Sequence, residues 1–114
     1  MKSEDHLQKA ERIEKSVESL DKEEDWELIV EGVYGAAQHY ISYICEQKLG
    51  EHHETHKGLI RYLKEHNLNE LANKFQRLDE LRIGEWYGNQ VNGETVNLAL
   101  EVLDEIKEMI KDAK

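Results

Sequence analysis

The sequence predicts an all-α fold, an antiparallel up-and-down bundle of four or five helices. Three observations carry this expectation. Apolar residues recur at three- and four-residue steps along most of the chain, and period-two alternation is nowhere sustained. The chain contains no proline, so nothing in it interrupts a long helix by removing a backbone donor. Its 114 residues suit one domain over residues 1–114, built around one core.

Each element follows from its own pattern. The first helix is expected over Ser3 to Leu20, where Leu7, Ala10, Ile13, Val17 and Leu20 draw one stripe. Asp21 and Glu24 have the spacing of a capping box, which opens a second helix over Lys22 to Leu49. Its broad apolar face comprises Trp26, Ile29, Val30, Val33, Ala37, Tyr40, Ile41 and Ile44. Gly32, Gly35 and Ala36 interrupt that helix with small residues. A helix-interior glycine costs about 1 kcal/mol relative to alanine, so close approach of another helix is the reason expected for keeping them. Gly50 then supplies a left-handed stop.

A short third helix is expected over Thr55 to His66, with Leu59, Tyr62 and Leu63 facing inward. Asn67 and Glu70 repeat the capping spacing before a fourth helix over Leu68 to Asn89, whose stripe runs Leu71, Phe75, Leu78 and then Arg82. Asn92-Gly93 breaks the chain. The fifth helix, Glu94 to Ala113, carries Val96, Ala99, Leu103, Ile106 and Ile110.

Composition excludes several classes of function. The chain carries 15 basic and 25 acidic side chains, a formal charge of −10. The excess is uneven. Met1 to Glu31 is strongly acidic, and only the stretch with Lys57, Arg61, Lys64, Lys74, Arg77 and Arg82 is net basic. Any nucleic-acid surface is therefore expected to be local, along the third and fourth helices. No run of about 18 apolar residues is present, and the charged N-terminus lacks the apolar middle of a signal peptide. A lone Cys45 forms no internal disulfide and no cysteine zinc cluster. These features imply a soluble, cytoplasmic protein with no membrane partner. No phosphate loop or dinucleotide fingerprint is found, and no cofactor is expected.

Arg82 is the most informative single residue. It lies on the stripe that buries Phe75 and Leu78, and a charge there needs a partner. Two readings follow. In one, Arg82 forms an ion pair with Glu85 or with an acid of another helix. In the other, its planar fork of donors binds an anion in a groove. His52, His53 and His56 form a histidine cluster beside Glu51 and Glu54. Their order fails the zincin pattern and offers no convergent fourth ligand, so they are read as solvated or capping residues and no metal is expected. The Glu-x-x-His signature of a carboxylate di-iron bundle is missing before all six histidines. His39, Tyr40 and Tyr43 are read as packed aromatics with satisfied polar tips. Cys45 is read as a semi-buried thiol without a basic neighbour to activate it.

From Trp26 to Ile110 the order of these features resembles the HEPN domain family, the "higher eukaryotes and prokaryotes nucleotide-binding" helical domains. The resemblance rests on Tyr34-Gly35-Ala36-Ala37-Gln38-His39-Tyr40 in the long helix, on Lys48-Leu49-Gly50, and on His56 opening a short helix. It continues through Leu78-Asp79-Glu80-Leu81-Arg82 to Glu85-Trp86-Tyr87-Gly88. It implies a helical bundle that dimerises through its two long central helices. In many members it implies a metal-independent ribonuclease, in which an arginine and a histidine four to six residues later meet their symmetry mates at the dimer cleft. Arg82 matches that arginine, but the histidine positions hold Trp86, Tyr87 and Gly88, and Ile83 stands where the family carries a polar residue. Without an imidazole the site lacks its general acid and base.

The resemblance therefore implies a degenerate, noncatalytic member with no catalytic residue of its own. Such members occur beside a small nucleotidyltransferase or in stress and toxin–antitoxin-like defence systems, as binding or regulatory subunits. The expected ligand-binding residues are Arg82, Tyr87, Glu85, His56 and His39, and the expected partners are a second copy and a nucleotide, RNA or nucleotidyltransferase-type protein. The alternatives are a ribonuclease using Tyr87 or His56 in place of the missing histidine, and an interaction module with no ligand.

Overall fold

The computed structural model describes residues 3–50, 58–87 and 92–113, with the side chains of residues 84–87 and 113 outside that description. The described residues form five helices: α1 (Ser3–Glu18), α2 (Trp26–Leu49), α3 (Leu59–Glu65), α4 (Asn69–Tyr87) and α5 (Gly93–Ala113). No strand occurs among them.

Helix α2 is the hub. It packs against α1, α4 and α5; among the described residues the backbone of α1 lies close to α2 alone and that of α3 to α4 alone, while α1 reaches α5 through Glu14 and Lys107. Contacts fix the directions. Ser3 reaches Gln47 and Val17 meets Gly32, so α1 runs antiparallel to α2. Arg82 reaches Glu31 while Phe75 stacks on Tyr34, so α4 is also antiparallel to α2. Gly93 lies beside Trp26, and Lys107 meets the same glutamate as Tyr40, so α5 returns parallel to α2. Hence residues 36–45 of α2 are buried around the whole helix circumference. The core joins them to Leu59, Leu63, Leu71, Phe75, Leu78, Val96, Leu103 and Ile106.

The small residues of α2 serve the purpose anticipated for them. A Cβ placed on Gly32 would lie 2.4 Å from Val17 Cγ2, and one on Gly35 would just touch Ile13. Helix α1 therefore lies directly on this stripe, and at Gly32 its approach leaves no room for a Cβ.

Three helix ends differ in detail from the sequence reading. Asp21 and Glu24 do not cap α2. Instead the Asp21 carboxylate accepts from the Glu23 N–H at 2.8 Å, and the Asp21 N–H donates to the Asp25 carboxylate at 2.8 Å. This closed turn delays the helix to Trp26. Asn67 does not open α4. It ends α3, with φ 62°, while the Leu68 N–H donates to the Leu63 carbonyl at 2.8 Å and the Asn67 N–H to that of Lys64 at 3.2 Å. That pair of bonds is a Schellman stop, with asparagine in the left-handed position that glycine usually takes. Asn92 does more than break the chain. Its side-chain oxygen accepts from the Thr95 N–H at 3.0 Å, and the Thr95 hydroxyl accepts from the Asn92 N–H at 3.3 Å. The two residues thus cap α5 reciprocally. Gly50 ends α2 as expected, at φ 70°, its N–H donating to the Glu46 carbonyl.

Candidate functional site on the α2–α4 face

Arg82 projects from α4 across α2. Its Nη2 donates to Asp79 Oδ1 at 2.9 Å, one turn back on the same helix, and Nη1 lies 3.8 Å from Glu31 Oε1 of α2. The guanidinium carbon sits 4.3 Å from the centre of the Tyr34 ring, and the Tyr34 ring stacks on Phe75 with centroids 4.9 Å apart. The stripe Phe75–Leu78–Arg82 thus carries its charge to the edge of the core, where an aromatic face and two carboxylates receive it. The side chain keeps 30% exposure. Its Nε is buried and hydrogen-bonds to no described acceptor.

The electrostatics follow from these contacts. Partial burial opposes the arginine's charge. The hydrogen bond to Asp79 and the neighbouring Tyr34, Asp79 and Glu31 more than offset it, holding the guanidinium above its ordinary range. Burial, followed by the Asp79 carboxylate, raises the Tyr34 hydroxyl, so the ring remains neutral. Of the two readings of Arg82, the geometry matches the ion pair. The partners are Asp79 and Glu31, while the Glu85 side chain lies outside the described residues.

Of the other expected site residues, only His39 has a described side chain. His39 is on the side of α2 that faces α1. It is buried, and its Nδ1 lies 2.9 Å from Nδ1 of His6, so it belongs to a different seam. His56, with His52 and His53, and the Tyr87 side chain lie outside the described residues. Among the described residues no three metal-ligating side chains cluster. Cys45 is buried, and burial, helped by Glu46, pushes its thiol up to about 11, so it is not a nucleophile.

Sequence reasoning missed two groupings. The Asp79–Arg82 pair was visible as an i,i+3 match of opposite charges on one helix. Tyr34 and Glu31 carried no such signal, because only the antiparallel placement of α4 brings them to Arg82. The second grouping ties α1, α2 and α5. The Tyr40 hydroxyl donates to Glu14 Oε1 at 2.6 Å, and Lys107 Nζ donates to Glu14 Oε2 at 2.7 Å. Burial and the Glu14 hydrogen bond raise Tyr40, and the same carboxylate raises Lys107.

The local basic stretch is largely neutralised. Arg61 pairs with Glu65 at 2.9 Å, Lys74 with Glu105 at 3.3 Å, and Arg77 with Glu80 at 4.0 Å. The α2–α4 face, by contrast, carries the two exposed large apolar residues of the described chain, Leu28 at 61% and Ile83 at 44%. Leu28 lies one turn before Glu31 on α2, and Ile83 follows Arg82 on α4. Among the described residues the backbones of α1 and α4 do not approach each other, and Leu28 and Glu31 share one face of α2.

No helix among the described residues is long and apolar enough to cross a membrane. A family model described as HEPN domain matches residues 3–114. No curated protein and no solved structure matches the chain.

Proposed function

Since the chain belongs to the HEPN domain family, we propose that it is a noncatalytic, homodimeric binding or regulatory subunit that dimerises on the α2–α4 face around Arg82. The observation that carries this reading is the state of that arginine. Its donors are directed to Asp79 and Glu31, its face rests on Tyr34, and the positions four to six residues on hold Trp86, Tyr87 and Gly88. A guanidinium held in this way stabilises the α2–α4 contact, and no imidazole stands at the family's position to move a proton.

The exposed Leu28 and Ile83 support this face as the place where a second copy packs. Charge bears on the further partner. A chain of net charge −10 whose Arg61, Lys74 and Arg77 already face carboxylates repels a polyanion. A protein of the nucleotidyltransferase type therefore suits it better than RNA. Sedimentation at micromolar concentration tests the assembly. The expected mass is about twice that of the chain, and a monomer at that concentration rejects it.

A further inference from the structure

We propose that the buried His6–His39 pair is a proton-sensitive latch that holds the first two turns of α1 on α2 only while at least one of the two imidazoles is neutral. The pair lies in the α1–α2 seam, 5% and 9% exposed, with Nδ1 facing Nδ1 at 2.9 Å and ring centroids 5.2 Å apart. At that distance one Nδ1 donates and the other accepts, and an imidazolium has no lone pair with which to accept. A second proton therefore replaces a hydrogen bond with two like charges in a buried seam, which separation and hydration relieve.

The surroundings make separation the available response. The backbone of α1 lies close to α2 alone, and its Glu14–Lys107 tie to α5 is in its second half, so its N-terminal turns are held by the histidine pair, by Ala10 and its neighbours, and by the Gln47–Ser3 hydrogen bond at 2.9 Å. The C-terminal half of α1 is anchored independently, by Val17 against Gly32 and by Glu14 to Tyr40 and Lys107. The titratable and charged residues flanking the pair are Asp5 and Lys9 on α1 and Tyr43 and Glu46 on α2. Among the described residues the backbones of α3 and α4 do not approach α1, and α5 reaches it at Glu14 through Lys107. Asp5, Glu46 and the two histidines themselves make further interactions, and the Nδ1–Nδ1 hydrogen bond still requires one neutral ring. Opening exposes the α2 surface around Ala36, His39 and Tyr43, a surface distinct from the Arg82 face.

Amide hydrogen exchange on the full chain tests this, read as protection factors for residues 7–13 of α1 against residues 100–106 of α5. Uptake of one proton on opening lowers protection by up to about tenfold per pH unit below the imidazole range. The α1 amides are expected to lose about tenfold or more between pH 7.5 and 5.0, with α5 unchanged. In His39→Asn and, separately, His6→Asn, a carboxamide keeps a neutral partner, and α1 protection is expected to stay within about threefold. Imidazole nitrogen shifts of the unsubstituted chain give a reading that needs no variant, with one Nδ1 an acceptor and the other a donor at pH 7.5. Protection that is independent of pH, an equal loss in the variants, or a pair without that donor–acceptor asymmetry overturns the latch.

Discussion

The two sides of α2 solve the same packing problem by different means. Toward α1 the seam is dry. Glycine and alanine let the backbones approach, and its polar contacts include a buried imidazole pair and the Tyr40–Glu14 hydrogen bond. Toward α4 the seam is filled by stacked Phe75 and Tyr34, and its edge is a part-exposed ionic cluster. The first seam is intolerant of added volume and the second of removed charge. A surface built on large rings and exposed ions can also serve a partner, whereas one built on glycine contacts is already occupied.

That contrast can be broken from either side. The largest effect is expected at Gly32. Gly32→Leu drives a side chain into Val17 and should cost about 3 kcal/mol, read as a lowered urea midpoint at unchanged m-value. The milder Gly32→Ala should be relieved when combined with Val17→Ala. If the two substitutions simply add, α1 does not lie where the structure places it.

Arg82→Met should be smaller, about 1–2 kcal/mol, because the cluster is about one-third exposed and water screens the carboxylates left behind. Methionine keeps the contact with Tyr34 while removing the charge. Asp79→Asn in the same background should recover part of the loss, and a cycle without coupling would mean that the ion pair contributes nothing.

Alkaline titration distinguishes buried from exposed ionisation. The Cys45 thiol is raised to about 11 in the folded chain, against about 8.5 for a free thiol. The unfolded chain therefore releases this proton first, and stability present below pH 8 is lost as pH rises toward 11. The loss should be about 1 kcal/mol at pH 9.5. Lys107, raised by Glu14, adds a loss of the same sign at higher pH. A Cys45→Ala chain should show a shallower decline, and an identical slope would contradict the burial of the thiol.

Leu28→Asp should change stability least, by under about 0.5 kcal/mol, since that side chain is 61% exposed. Its effect should appear instead in sedimentation, as a shift toward the monomer. A variant that stays dimeric moves the interface elsewhere.

Periodicity alone made the five helices, the core stripe and the Gly50 stop legible, because each is a local property of spacing and backbone conformation. The capping pairs were legible as residue types but not as roles. Asn67 satisfies a start signal and a stop signal equally well, and only the bonds from Asn67 and Leu68 back to Lys64 and Leu63 decide between them. Arg82 stood out because a guanidinium on an apolar stripe is anomalous. Glu31 and Tyr34 did not, since a partner 50 residues away in sequence leaves no spacing to read. His6 went unnoticed for the same reason. A histidine near a charged N-terminus looks solvated until α1 is laid along α2.

The proposed noncatalytic role is tested most directly by incubating the purified chain with a mixed RNA pool and following fragment lengths over time, beside an Arg82→Met control. The expected result is an intact pool with both proteins, because Trp86, Tyr87 and Gly88 stand where the family's imidazole acts. Cleavage that copurifies with the chain and disappears in Arg82→Met would contradict the account, and would make that arginine a catalytic group.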